Sequence, residues 1–211
     1  MTVLPLARRR PASVRVPLPD GGTALLRPLQ DGETGPLLDV FAGMSPASRA
    51  NRYLVGAPRL TQAFVRVLAA TDGFMHVAWL ASVDDRPAGI ARYVRTDEDP
   101  CTAELALEVV DEHQRRGLGL ALLDAVTTVA AVNGVRRVAA TVHAQNTPSL
   151  RLLSRLGIRT SFEGGVLEGN APLRLLDPPR VDRHAIVELA RRTAPESSAP
   201  VWTAPCAGTA H

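Results

Sequence analysis

Lysine does not occur among the 211 residues; all 24 basic side chains are arginine. That absence alone excludes a Walker-type phosphate loop, which requires Gly-Lys-Ser/Thr. Cysteine is nearly as scarce. Cys101 and Cys206 are the only two, and the second sits in a Pro/Ala/Ser-rich stretch, so neither a disulfide framework nor a cysteine metal site is expected. The five histidines are scattered without ligand spacing, and no metal is expected. No apolar run approaches the roughly 18 to 20 residues of a membrane span, and the basic opening lacks an apolar signal core. A cytoplasmic chain with no membrane partner is the expectation. The formal charge is only +3, with arginines spread along the chain and no interleaved aromatics, which argues against nucleic acid.

What is present is a 45% hydrophobic chain, long enough for one good core. The expected layout is a basic segment over 1–12, a folded domain over 13–177, a terminal helix over 178–194 and a disordered tail over 195–211. Ser13 to Pro17 and Thr23 to Pro28 read as strands around Pro19-Asp20-Gly21-Gly22. Asp31 and Glu33 stand where they could cap a helix toward Phe41, with Pro36 as an alternative first-turn residue; Ser45-Pro46 opens a second. Phe74 to Ser82 and Pro87 to Arg95 read as a hairpin. Thr102 to Val110 is a further strand, with Ala103, Leu105, Leu107 and Val109 on one face and Glu104, Ala106, Glu108 and Val110 on the other. A helix with an apolar stripe follows over Gly117 to Ala131, then a buried strand over Val135 to Val142 and a short helix over Thr147 to Leu156. Strand, helix, strand in that order imply a parallel crossover within a mixed sheet of an α/β fold. Arg180 to Arg192 reads as the terminal helix.

Between the third strand and the striped helix lies Gln114-Arg115-Arg116-Gly117-Leu118-Gly119. Its glycines let backbone amides approach a ligand, and the helix dipole and arginines add positive potential, so the stretch is built to hold a pyrophosphate. A dinucleotide fingerprint does not fit, because Leu122 stands where the third glycine belongs.

The stretch resembles the acyl-CoA loop of the GNAT N-acetyltransferases, Gln/Arg-x-x-Gly-x-Gly/Ala after an apolar strand. Asn146-Thr147-Pro148-Ser149 with Leu152-Leu153 and Leu156-Gly157-Ile158 resembles the family's second CoA segment. The resemblance runs from about Val14 to Leu175 and is nearest to the bacterial Pat-type protein-lysine acetyltransferases, through Asp20-Gly21, Leu26-Arg27-Pro28, Met44-Ser45-Pro46-Ala47-Ser48-Arg49, Arg52-Tyr53-Leu54, Gly89-Ile90-Ala91-Arg92-Tyr93 and Ala103-Glu104-Leu105-Ala106. It implies a GNAT fold, a mixed sheet flanked by helices on both faces. It implies acetyl-CoA as co-substrate, with contacts from Leu107, Val109, Gln114, Arg115, Arg116, Gly117, Leu118, Gly119, Asn146 and Ser149. It also implies an amine acceptor, most directly a protein lysine such as one in an acyl-CoA synthetase; a small amine, or a non-catalytic acyl-CoA-sensing role, are the alternatives. The lack of lysine then has a second reading beside GC-rich codon usage: a lysine acylase without lysine is no substrate for itself.

By the same resemblance Glu104, ten positions before Gln114, is the general base. The chemistry needs one, since a lysine ammonium of pKa about 10.4 is only roughly one part in a thousand neutral at pH 7. Glu108 is the rival carboxylate, about 13 Å along the strand at roughly 3.3 Å per residue. Leu152-Leu153 stand where many relatives place a tyrosine to protonate the thiolate, so no acid is expected there; His113, Tyr93 and His143 are the conceivable substitutes.

Overall fold

The computed structural model describes residues 12–54, 59–95 and 98–193, so the expected basic segment over 1–12 falls almost wholly outside it, as does all of the expected tail. Strands β1 (Val14–Pro17) and β2 (Thr23–Pro28) form the expected hairpin. Gly21 takes φ 84° in its turn, and Asp20 Oδ1 accepts from the Gly22 N–H at 3.0 Å. Helix α1 (Gly35–Ala42) starts beside Pro36, but neither expected carboxylate caps it. Glu33 instead accepts from both Nη atoms of Arg27, at 2.8 and 2.6 Å. A bidentate guanidinium outcompetes a single amide for a carboxylate. In α2 (Pro46–Tyr53) Ser45 Oγ accepts from the Ser48 N–H, and in α3 (Gln62–Ala69) Thr61 does the same for Phe64, each at 3.2 Å.

Strand β3 (His76–Val83) starts later than its apolar run suggests. Asp72 Oδ1 collects the N–H groups of Phe74, Met75 and His76 at 2.8, 2.8 and 2.9 Å and holds the first two in a turn. Asp84 and Asp85, both at positive φ, close the two-residue loop to β4 (Arg86–Arg95). Then come β5 (Thr102–Val109), α4 (Leu118–Val132), β6 (Arg137–Val142) and α5 (Thr147–Arg155). A hairpin absent from the sequence reading follows, β7 (Arg159–Glu163) and β8 (Val166–Pro172) around Gly164 and Gly165, before α6 (Arg183–Thr193). Cys101, just ahead of β5, is in a disulfide, against the expectation of unbridged cysteines.

The eight strands form one sheet in the order β1-β2-β3-β4-β5-β6-β8-β7. Every pairing is antiparallel except β5 with β6, the expected crossover through α4. Register pairs Val94 with Glu104, Arg92 with Ala106 and Ile90 with Glu108 on one face, and Tyr93 with Leu105, Ala91 with Leu107 and Gly89 with Val109 on the other. Helices α2 and α3 meet the first face, where the Tyr53 side chain reaches Glu108 and the Leu68 carbonyl accepts from Arg92. Helix α4 packs on the second. A Cβ on Gly89 would stand 2.8 Å from the Glu108 carbonyl and 3.1 Å from Leu122, so glycine there sets how closely α4 approaches.

Helix α4 is wider in its burial than the expected stripe: 11 of its 15 residues are buried. The cause is α6, which closes over its outer side. Asp124, fully buried on α4, accepts from Arg183 Nε and Nη2 at 2.9 and 2.6 Å and from the N–H groups of Arg180 and Val181 at 2.5 and 3.2 Å.

Candidate active site

Strands β5 and β6 pair over only three residues, Thr102 with Arg137, Ala103 with Val138 and Glu104 with Ala139. Both strands continue. β5 stays bonded to β4 as far as Val109, and β6 to β8 as far as Val142. The two therefore diverge, and a wedge opens in the sheet from Leu105 onward. Alternate backbone groups of β5 face that gap without a strand partner, ready to pair with an extended ligand. Leu107 and Val109, expected to touch cofactor, lie on this open edge, and their side chains flank Gly119.

At the wide end of the wedge the chain turns through Asp111–His113 into the glycine loop. Arg115 and Gly117 both take positive φ, 60° and 86°, a backbone in which successive amides curl toward one point. Gly117 is the N-cap of α4 and has no side chain to cap it; the first hydrogen bond of the helix runs from the Ala121 N–H to the Gly117 carbonyl at 3.1 Å. Among the described residues, the amides of Leu118, Gly119 and Leu120 have no acceptor. Three free donors at the positive end of a 15-residue helix have the arrangement that suits an anion.

The side chains of the loop divide their work differently from the sequence reading. Arg115 is exposed and unpaired among the described residues, free to meet an anion. Arg116 is tied back to Asp20 by its Nε and to His113 Nδ1 by Nη1 at 2.7 Å. The Gln114 amide donates to the Val109 carbonyl at 3.1 Å, to Asp111 Oδ1 at 3.2 Å and to Ser48 Oγ at 3.3 Å, bracing the loop against β5 and α2. Asn146 caps α5 by accepting from the Ser149 N–H at 3.2 Å. The glycines serve packing as well as approach. A Cβ on Gly117 would strike the Pro19 ring at 2.9 Å, and one on Gly119 would meet Leu107 at 3.3 Å and Leu152 at 3.4 Å.

Glu104 and Glu108 share the face opposite α4, as their spacing requires, yet their surroundings differ completely. Glu104 stands exposed at the last paired residue before the wedge, with no hydrogen bond or ion pair among the described residues. Glu108 is 4% exposed and surrounded by donors: Tyr53 Oη at 3.0 Å, Arg52 Nε at 3.4 Å and Arg92 Nη2 at 3.5 Å. Burial, and then the Glu108 charge, push the Tyr53 phenol above its ordinary range. Burial, and then Arg92, hold His76 below the usual histidine value; its Nε2 lies 3.3 Å from Arg92 Nη1. Glu108 is thus the centre of a buried polar cluster joining α2, β4 and β5. The sequence reading missed it because its partners lie 16 to 56 residues away along the chain.

Each of the conceivable acids already has a polar partner of its own. Tyr93 Oη donates to the Phe74 carbonyl at 3.1 Å and accepts from Asn133 at 2.7 Å, at the far end of α4, on the order of 20 Å from the loop at about 1.5 Å per residue. His113 is buried with Nδ1 on Arg116. His143 Nδ1 accepts from the Gln145 N–H at 3.3 Å.

A sheet that opens between two parallel strands, beside a glycine-rich helix start with free amides, defines the class as a transferase fold of the acetyltransferase kind. The chain belongs to the acetyltransferase (GNAT) family, whose sequence model matches residues 48–158. It is 29% identical over 158 residues to acetyltransferase Pat of Mycolicibacterium smegmatis, covering 72% of this chain but only 47% of that protein, so it spans about half of that relative's length. Acetyltransferase PA5475 of Pseudomonas aeruginosa is 30% identical over 145 residues, 66% of this chain and 77% of that one. Among solved structures the GNAT domain of S. lividans PAT superposes with a TM-score of 0.70 at 29% identity, over 76% of this chain and 97% of that domain.

Proposed function

We propose that the chain transfers an acetyl group from acetyl-CoA directly to a primary amine, and that the amine is a protein lysine side chain. The wedge carries this reading. An extended pantetheine chain fits an open strand edge from Leu105 to Val109, and the same edge ends at the free amides of Leu118 to Leu120, where the pyrophosphate sits. The acetyl carbonyl then lies near the closed end, beside Glu104. Glu104 takes a proton from the ammonium; the neutral nitrogen attacks the thioester carbon, the C–S bond breaks, the new amide nitrogen gives its surplus proton to water, and CoA leaves as thiolate. Leu152 is half-buried and Leu153 buried where relatives carry an acid, so the thiolate leaves unassisted or through water. The likeness to Pat favours lysine over a small amine.

Incubating the chain with acetyl-CoA and, in parallel, lysine-bearing proteins, peptides and small amines, while following free thiol release, tests the reading. Acetyl-CoA-dependent thiol release with a protein acceptor and a 42 Da gain on its lysines is the expected result. Binding of acetyl-CoA without transfer to any acceptor would favour a sensing module instead.

A further inference from the structure

The second arginine of the glycine loop faces the β1–β2 turn rather than the helix start, and that turn touches the loop at several points. Arg116 Nε is ion-paired with Asp20 Oδ2, and Arg116 Nη1 lies 2.7 Å from His113 Nδ1. Arginine can only donate, so His113 accepts at Nδ1 and keeps its proton on Nε2. Asp20 is itself oriented, because its other oxygen accepts from the Gly22 N–H at 3.0 Å. A Cβ on Gly22 would stand 3.2 Å from Arg116 Nη2, and one on Gly117 would stand 2.9 Å from Pro19 Cδ. Two segments 96 residues apart thus meet closely: a methyl on Gly117 would clash with Pro19, and one on Gly22 would crowd the Arg116 guanidinium.

The conformation secured there is a costly one for the free chain. Arg115 at φ 60° is a non-glycine residue in the left-handed region, and its neighbour Arg116 is the residue the turn grips. Without an outside restraint, the loop would relax and its amides would cease to converge. The charges matter too. An unpaired Asp20 carboxylate near an anion site would repel the ligand, whereas its pairing with Arg116 cancels that field and uses the arginine as a strut.

We propose that Asp20 is a positioning residue for the cofactor loop, acting through Arg116 to hold the Arg115–Leu120 amides in their anion-binding arrangement before acetyl-CoA arrives. This rests on the acetyl-CoA reading above. Arg115 is then the arginine that meets phosphate, and Arg116 is the one that sets the loop.

The test is calorimetric titration of acetyl-CoA into the wild-type chain, Asp20→Asn, Asp20→Glu and Asp31→Asn, the last an exposed acid with the same charge change elsewhere. Asp20→Asn weakens binding fivefold or more and raises KM for acetyl-CoA far more than it lowers kcat; Asp20→Glu, which restores the pair, recovers most of the affinity; Asp31→Asn binds as wild type. Amide hydrogen exchange without cofactor is faster over Arg115–Leu120 in Asp20→Asn than in wild type. Unchanged or tighter binding in Asp20→Asn overturns the proposal, tighter binding meaning that Arg116 is freed to meet phosphate itself. If the wild-type chain does not bind acetyl-CoA, the functional reading fails, while the exchange measurement still decides whether the turn holds the loop.

Discussion

Four positions apart on one strand face, Glu104 and Glu108 show how little residue type alone says about role. Glu104→Gln keeps size and most hydrogen bonding but removes the proposed base, so on that reading acetyl-CoA affinity persists while turnover falls by roughly 10²–10⁴-fold. Glu108→Gln acts elsewhere. It leaves Arg52 and Arg92 facing a neutral amide inside a buried cluster, and loss of one partner of such a pair costs about 3–5 kcal/mol, so its mark is a lower melting temperature. A Glu108→Gln chain that melts normally but has lost turnover, beside an active Glu104→Gln, would reverse the assignment. His76 supplies a pH signature at the same scale. Its folded pKa is depressed, so between that value and the unfolded value of about 6.5 the unfolded chain binds more protons and stability falls as pH falls. The carboxyls of Asp20, Glu33 and Asp111 are also held low, but they lose their contribution only below their ordinary values of 3.8 to 4.5. Melting temperature therefore declines from pH 7 to 5.5, by roughly 2–4 °C per kcal/mol lost, and His76→Gln flattens that slope.

Among the elements, α4 carries both the proposed anion site at its start and 11 buried residues of its 15. Gly119→Ala asks Leu107 and Leu152 to yield by a few tenths of an ångström and is tolerated; Gly119→Val wedges them apart and abolishes acetyl-CoA binding. Gly117 is less forgiving, because φ 86° and the Pro19 ring together exclude any side chain. Titration finds Gly119→Ala close to wild type and Gly117→Ala and Gly119→Val without measurable acetyl-CoA binding, and a Gly119→Val chain that binds like wild type would remove the loop from the proposed cofactor site. On the outer side, Asp124 joins α4 to α6 and the segment just before it through four hydrogen bonds, two from Arg183 and one each from the Arg180 and Val181 N–H groups. Asp124→Ala strands the Arg183 guanidinium and two amides against a buried helix, at a cost of about 3–5 kcal/mol, read as a lower urea midpoint with unchanged slope. A midpoint within error of wild type would mean that α6 is held by its apolar contacts alone.

For the whole molecule, the missing lysine becomes an experimental convenience. An enzyme of this composition has no side-chain ammonium to acetylate, so prolonged incubation with acetyl-CoA leaves its own side chains without a lysine adduct, and any lysine signal in mass spectrometry belongs to the acceptor. The same scale shows what a linear reading can reach. The Asp20-Gly21 turn, the Ser45 cap, the crossover through α4 and the glycine loop were legible, because each rests on residues within a few positions of one another. The β7–β8 hairpin was signalled by Gly164-Gly165 but missed, since its half-exposed strands lack a clear apolar alternation.

Local chemistry in the sequence determined where strands turn, where helices begin, which face each β5 side chain takes and where backbone amides are left free for an anion. Tertiary structure decided the rest. Whether Glu104 or Glu108 faces solvent depends on where α2 and α3 lie, and the β5 segment alone does not carry that information. Which loop arginine stays available depends on a turn 96 residues away. The opening between β5 and β6 exists because each strand keeps its outer partner while parting from the other, a balance between pairings that no single segment encodes. Burial and charge pairing are properties of what surrounds a residue, and in a folded chain most of those surroundings are distant in sequence.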